Sequence, residues 1–415
     1  MLELCLFDLD DTLIRTTDLK EVREAGKNEN SSWYKSKLLG EYRKNKNRNL
    51  YDDDLLQFVQ KKFPETKFGV FTRAPRSYAL TILNEAYNFV RWDVIVGYED
   101  VRKRKPHGDG IHLAMNTLGL KDLGKVLMVG DSDVDVKSAY NAGVAIAVDK
   151  TSWSKHYTYD NWDALNHLPD MIFEDTSDVI SALEALPMFQ PDLEWALSGF
   201  ETAPKNLRFD RCARWLHKEV GGGRQPYQIY TCGRSFAGYE SLQLRRKWHE
   251  LTNSIHDNKE SIVFPDAWIG SIYRFIRNKI PHLNIGSPLI VTVIPHRPGR
   301  KPRLENLLRQ IQGYIIKNPF PGSAKVQYNP ELLAYRPGVK SNSNDKLSAS
   351  DRFKNVRDHL YVTEAAVVAA GNRVLVIDDV CTSGSSLIYA GIRLQEAGAG
   401  DITRLAISIN IGNVL

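Results

Sequence analysis

Two apolar runs, one near each end of the chain, finish in clusters of carboxylates, and this constrains the fold more than any other feature. Near the start, Phe7-Asp8-Leu9-Asp10-Asp11-Thr12-Leu13 sets three carboxylates directly behind an apolar stretch. Near the end, Val374-Leu375-Val376-Ile377-Asp378-Asp379 leads into Val380-Cys381-Thr382-Ser383-Gly384-Ser385-Ser386. A short continuous apolar run of this kind reads as a buried parallel strand, and in open α/β sheets ligands collect beyond the C-terminal ends of such strands. Two active sites are therefore expected.

The length, 415 residues, exceeds the size at which one hydrophobic core keeps growing, and 42% hydrophobic residues can support two. A net charge of +5 on a chain that is 25% charged gives no argument for a nucleic-acid partner. Cys5, Cys212, Cys232 and Cys381 stand far apart with no CxxC pair, which speaks against a zinc ribbon and a disulfide framework. The chain reaches a charged strand end almost at once and holds no apolar run of membrane-spanning length. No signal peptide and no membrane contact are expected, and the location is expected to be cytoplasmic.

In the first half, a polar stretch over roughly residues 16–62 reads as a small cap or exposed insert, because its 41–48 segment is too charged to be core. Strands follow at Phe68-Gly69-Val70-Phe71, ending in Thr72, and at 92–97. The basic run Arg102-Lys103-Arg104-Lys105-Pro106 precedes a helix, and the strand 125–129 closes on Gly130-Asp131-Ser132-Asp133-Val134-Asp135. A carboxylate attacks phosphorus only when a cation offsets both negative charges, so Asp8 and Asp131 would hold magnesium. Asp10, two residues on along an extended segment, points to the same side and can protonate the leaving oxygen and then activate water. Thr72 can hydrogen-bond the phosphoryl oxygens, and Lys105 can neutralise charge that builds up in transfer. Asp11 reads as a local turn residue, and Arg73, Lys103 and Asp133 as surface residues.

These four elements in this order resemble the haloacid dehalogenase superfamily: DxDxT at Asp8 to Thr12, a strand-end Thr72, Lys105-Pro106, and GDxxxD at Gly130 to Asp135. The likeness covers about residues 1–185. It implies an aspartyl-phosphate on Asp8, acid/base duty for Asp10, and Mg2+ held by Asp8, the Asp10 carbonyl and Asp131, with Asp135 reaching it through a neighbour or a water. An acid at the second position of DxDxT favours a phosphatase over the other branches of the superfamily.

In the second half, the strand 288–294 meets the basic loop Pro295-His296-Arg297-Pro298-Gly299-Arg300-Lys301, a candidate anion-binding turn. A polar stretch from Arg336 through Lys340 to Arg352 and Arg357 has the composition of a mobile flap. After Asp378-Asp379, the turn Thr382-Ser383-Gly384-Ser385-Ser386 opens a helix; its small residues let backbone amides approach a phosphate, and the helix N-terminus adds positive potential. Adjacent aspartates suit vicinal sugar hydroxyls and can assist a magnesium bound to a diphosphate. The implied ligand is a phosphorylated ribose carrying pyrophosphate. Residues 192–280 read as helices and loops without chemistry of their own. A Walker-type loop is excluded by the missing Gly-Lys-Ser/Thr ending, and a dinucleotide fold by the lack of GxGxxG after a strand.

The stretch Val376 to Gly384 resembles the signature of type I phosphoribosyltransferases, and Pro295-His296-Arg297-Pro298 with 347–357 is similar to their ComF-like branch, over roughly residues 285–415. The zinc ribbon common at the start of that branch is absent. The resemblance implies displacement of pyrophosphate from phosphoribosyl pyrophosphate (PRPP) by a nucleobase-like nucleophile. Asp378 and Asp379 would hold the ribose hydroxyls, the 382–386 amides the 5′-phosphate, and Arg297, Lys340 or Arg352 the departing pyrophosphate.

The expectation is thus an α/β chain of two Rossmann-like parallel-sheet domains: a phosphatase-like domain at 1–187, a helical and irregular connecting region with a base-selecting hood at 188–284, and a transferase-like domain at 285–415. The expected function is a bifunctional Mg2+-dependent phosphatase and PRPP-dependent transferase acting on a nucleotide-like metabolite. The alternatives are a second half that senses PRPP or a nucleotide and gates the phosphatase, and a stress or defence effector that drains a nucleotide pool. The partners are PRPP and a nucleobase-like or phosphorylated small molecule, with neither nucleic acid nor membrane.

Overall fold

A computed structural model describes residues 2–204, 206–322, 324–340, 347–368 and 371–415, so residues 341–346 of the expected flap lie outside the described residues. The chain divides into two compact units. The first comprises the residues up to Gln190 together with Phe236–His249 and Gly412–Leu415; the second comprises Pro191–Ser235 and Glu250–Ile411.

The first unit is built on six parallel strands: β1 (Leu4–Phe7), β2 (Lys67–Phe71), β3 (Val94–Val96), β4 (Val126–Gly130), β5 (Ala145–Asp149) and β6 (Met171–Phe173), in the order β3-β2-β1-β4-β5-β6. All residues of β1 and β4 are buried, as a strand covered on both faces requires. The chain moves outward from β1 to β3 and returns on the other side of β1 at β4, so the sheet reverses direction between β1 and β4. Ligands of doubly wound sheets bind at such a reversal. The register aligns Phe7 with Val70 and Val129, which brings Asp8, Thr72 and Asp131 to one edge of the sheet.

The insert departs from the sequence reading at Tyr42 and, most sharply, at Arg48. The 41–48 segment was expected to stay out of the core, yet Arg48 is 1% exposed. Its guanidinium reaches the Tyr42 carbonyl at 2.6 Å, the Arg15 carbonyl at 3.0 Å and both Asp18 carboxylate oxygens at 2.7 Å. A buried cation is tolerated when its donors are used, as these are. Tyr34, Leu38 and Tyr51 bring the insert into the same core as Phe7 and Val129.

In the second unit, β7 (Asp210–Arg214), β8 (Tyr227–Thr231), β9 (Arg234–Phe236), β10 (Leu289–Val293), β11 (Val326–Tyr328), β14 (Arg373–Cys381) and β15 (Ile402–Ile411) form one sheet. Its order is β11-β10-β14-β15-β8-β7, with β9 on β15, while β12 (Leu333–Tyr335) and β13 (Leu360–Val362) pair separately. The expected purely parallel sheet is corrected here: β7 runs antiparallel to β8, so the sheet is mixed. The region read as helices and loops supplies three of its strands. β7 gave no alternating signal because only Cys212 of Asp-Arg-Cys-Ala-Arg is buried.

β14 holds a second difference. Asp378 and Asp379 were expected at a strand tip, but the strand runs on through Cys381. β10 stops level with Ile377, whereas the ten-residue β15 goes on pairing as far as Cys381. The aspartates therefore stand on a strand paired along one side only.

Candidate functional site

In the first unit the Lys105 ammonium sits between two carboxylates, 2.6 Å from Asp8 Oδ1 and 2.6 Å from Asp135 Oδ1. Asp8 lies directly after β1, its backbone amide donating to the Val129 carbonyl at 2.8 Å. Asp135 is in the first turn of the helix Asp133–Ala142, where its Oδ2 accepts from the Ser132 amide at 3.2 Å and the Ser132 hydroxyl at 2.6 Å. Gly130 is required by this approach, since a Cβ there would meet Asp135 Cγ at 2.4 Å. Asp131 accepts a 3.2 Å hydrogen bond from the Thr12 hydroxyl.

Oxygens of Asp8, Asp131 and Asp135 lie within 4.8 Å of one another. Burial pushes the Asp8 carboxyl up to about 7; Lys105 pulls against this, and the charges of Asp135 and Asp10 add to it. Burial, with Asp135 and Asp8 alongside, also drives Asp131 well above the usual carboxylate range. Burial works against the Lys105 ammonium, but Asp135 and Asp8 outweigh it and raise its pKa. Three crowded carboxylates with one ammonium among them leave excess negative charge. Hard oxygen donors at this spacing suit a small divalent cation.

The other expected residues of this unit divide. Thr72 is buried just past β2, its hydroxyl oxygen accepting from the Ala74 amide at 3.0 Å and its proton left to donate. The Asp10 side chain is not part of the carboxylate trio. Its Oδ1 instead takes the Thr16 hydroxyl at 2.6 Å, the Tyr78 hydroxyl at 3.1 Å and the Arg23 guanidinium at 2.9 Å. Asp11 has a positive φ of 59° and accepts the Thr16 amide at 3.0 Å, which makes it a turn residue. Sequence reasoning missed Arg23 and Tyr78: one is a charge in a charged insert and the other an aromatic on a helix, and neither has a motif to mark it.

In the second unit the turn after β14 exposes Thr382 and leaves Ser383 and Ser386 half-buried, while Gly384 and Ser385 are buried. Gly384, at φ 81°, caps the helix Ser385–Glu396. Asp378 Oδ1 accepts the Asp379 amide at 2.9 Å, and burial followed by the Asp379 charge raises its pKa well above the carboxylate range. Asp379 is engaged by a residue that was not anticipated. Arg303 Nη1 donates to Asp379 Oδ2 at 3.1 Å, while its other nitrogens are tied to the Ser261 carbonyl at 2.9 Å and the Asn258 carbonyl at 2.8 Å.

Arg297 lies 5.9 Å from the Tyr335 ring, and its Nε is buried without a hydrogen-bond partner among the described residues. Lys340 and Arg352 are not brought there. Lys340 exchanges backbone bonds with the Asn355 side chain, and Arg352 donates to the Leu347 carbonyl at 3.0 Å. Among the described residues no hydrogen bond joins either of them to 378–386.

Residues 19–148 match the family of haloacid dehalogenase-like hydrolases. A phosphoglycolate phosphatase of Photorhabdus laumondii is 28% identical over 167 residues, 37% of this chain and 68% of that enzyme. The phosphoglycolate phosphatase of Escherichia coli is 30% identical over 117 residues, 28% of this chain and 43% of the enzyme, so less than half of its length is spanned. The solved structure of a haloacid dehalogenase superfamily hydrolase from Geobacter sulfurreducens aligns at 14% identity with a TM-score of 0.32, covering 44% of this chain and all of that one. The N-terminal part of the chain is a haloacid dehalogenase superfamily domain, and its relatives support a phosphatase function for it. Mg2+ is the cofactor, and the trio of Asp8, Asp131 and Asp135 is able to bind it. Among the described residues no helix is long and apolar enough to cross a membrane.

Proposed function

We propose that the chain is a bifunctional enzyme, a Mg2+-dependent phosphatase in the first unit and a PRPP-dependent phosphoribosyltransferase in the second. The observation that carries the phosphatase half is the Asp8–Lys105–Asp135 bridge beside Asp131. Asp8, the Asp10 carbonyl and Asp131 would hold the cation, with Asp135 reaching it through a neighbour or a water, and it would offset the charge of the phosphoryl group as Asp8 approaches it. An Asp8 carboxylate oxygen attacks phosphorus, the bond to the substrate oxygen breaks, and Asp10 gives its proton to that oxygen. Asp10 then takes a proton from water as the water oxygen attacks the same phosphorus and releases Asp8 and inorganic phosphate. Thr72 donates to a phosphoryl oxygen, and Lys105 balances charge as transfer proceeds.

The substrate class is a phosphorylated small molecule, to which the phosphoglycolate named in the relatives belongs. The expected result is release of inorganic phosphate from such monoesters that stops on chelation of Mg2+ and returns when Mg2+ is restored, measured by a phosphate assay. Release that persists in excess chelator would remove the metal from the reading.

For the second unit, the order β11-β10-β14-β15 supports the transferase reading: it sets the loop after β10 beside Asp378, Asp379 and the 382–386 turn. Incubation with PRPP, Mg2+ and a panel of bases is expected to release pyrophosphate and form a nucleotide-like product, read by mass spectrometry. The ion pair of Arg303 with Asp379 favours a second reading, in which the unit binds a sugar phosphate without catalysis and regulates the phosphatase. Saturable ligand binding with no pyrophosphate and an altered phosphatase rate selects it.

A further inference from the structure

A cavity of about 640 Å³ on the first unit is lined by Trp153, Tyr157, Trp162, Lys150, Lys155 and His156. Trp153 ties it to the reaction centre, because its indole N–H donates to the backbone carbonyl of Asp131 at 3.0 Å. From there the rings continue edge to face, Trp153 to Tyr157 at 5.1 Å and Tyr157 to Trp162 at 5.2 Å between centroids. Trp162 is 56% exposed, a large apolar surface given to water at the far end of the row.

The row stands on fixed supports. At its root, Asp149 accepts the Thr151 amide at 2.8 Å and the Tyr51 hydroxyl at 2.6 Å, and the Trp153 amide donates to the Lys150 carbonyl at 2.9 Å. At its far end, Thr158 and Asn161 cap the helix Tyr159–Asn166 that carries Trp162. At the cavity Lys150 is paired with Glu174 at 2.6 Å, and Lys155 and His156 line the rim. The volume of the cavity falls within the range of small-molecule sites.

We propose that this aromatic row is the base subsite of the phosphatase and that the substrate is a nucleoside 5′-monophosphate, its base on Trp162 and its phosphate at Asp8 and Lys105. The proposal rests on the phosphatase reading above and deepens it by naming the substrate class. Ring-on-ring stacking accepts any base, because every base has a π-face, so the subsite selects for a nucleotide over a simple sugar phosphate without choosing among bases. Asp131, which accepts from Trp153 through its carbonyl and would hold the cation through its carboxylate, links the two ends of the ligand.

The test compares kcat/KM for AMP and UMP with that for ribose 5-phosphate, in the natural protein and in Trp162→Ala, a substitution on an exposed face. The nucleotides are expected to be preferred at least about tenfold, and Trp162→Ala to narrow that ratio by about tenfold, mainly through KM. Equal turnover of nucleotides and ribose 5-phosphate, or an unchanged ratio in Trp162→Ala, overturns the proposal. Absence of turnover with every monoester would fault the phosphatase reading instead. Calorimetric titration of AMP into the Asp8→Asn protein then decides the subsite separately: saturable binding weakened about tenfold by adding Trp162→Ala supports it, and no binding overturns it.

Discussion

Asp8→Asn is expected to reduce phosphomonoester hydrolysis by at least about 10³-fold, with KM changed far less than kcat. The amide keeps the shape of the side chain and can still meet Lys105, so binding of the phosphate group survives. What it loses is the oxygen nucleophile that bonds to phosphorus, and no neighbour can replace it. Asp135 has both oxygens committed, one to Lys105 and the other to Ser132. Asp10 is turned toward Thr16, Tyr78 and Arg23. The check is phosphate release under saturating substrate and Mg2+; residual kcat above a hundredth of the natural value would show that Asp8 is not the attacking group. The same variant bears on coupling. Supplied with PRPP, Mg2+ and a suitable base, it is expected to stop at the 5′-monophosphate, whereas the natural protein goes on to the nucleoside. If both proteins yield the same product distribution, the two activities are not consecutive.

The sequence was readable wherever a functional group sits at the end of a buried strand. Asp8, Thr72 and Asp131 follow continuous apolar runs, and a parallel sheet leaves such residues only one edge to occupy. The same logic located Asp378 and Asp379, although it ended β14 too early because the extra pairing comes from β15, a partner that the run itself does not reveal. Groups that act across long sequence separations were not readable. Arg23 meets Asp10 from the insert, and Arg303 meets Asp379 from the start of a helix 76 residues away. Each looks in sequence like one more solvated cation, and only the fold supplies its carboxylate. Arg48 is the extreme case, a buried guanidinium inside a segment whose charge argued for exposure.

The segment Phe236–His249 follows the same rule, and it yields the largest expected effect on stability. Although it lies far along the chain, it belongs to the first unit. Its Arg245 is fully buried and ion-paired with Asp170, itself fully buried, and also donates to the Val144 carbonyl at 2.9 Å. The guanidinium packs 3.9 Å from the Trp248 ring, and the Trp248 indole donates to the Gly143 carbonyl at 2.8 Å. The other Asp170 oxygen accepts the Ile146 amide at 2.9 Å, so this one carboxylate joins the segment to the start of β5.

Removing one partner of a fully buried ion pair costs about 3–5 kcal/mol, because the remaining charge loses its main counter-charge in low dielectric. Arg245→Ala is therefore expected to lower the midpoint of thermal unfolding of the first unit by roughly 6–20 °C. Arg245→Met with Asp170→Asn removes both charges of this pair, and is expected to recover a large part of that loss. A fragment ending at Gln190 lacks Arg245 altogether and should unfold at a lower temperature than the same unit in the full chain, by a similar margin. Calorimetry on the four proteins decides the matter. If Arg245→Ala unfolds within about 2 °C of the natural chain, the segment only rests against the phosphatase unit, and Asp170 must find another partner or a proton when it is gone.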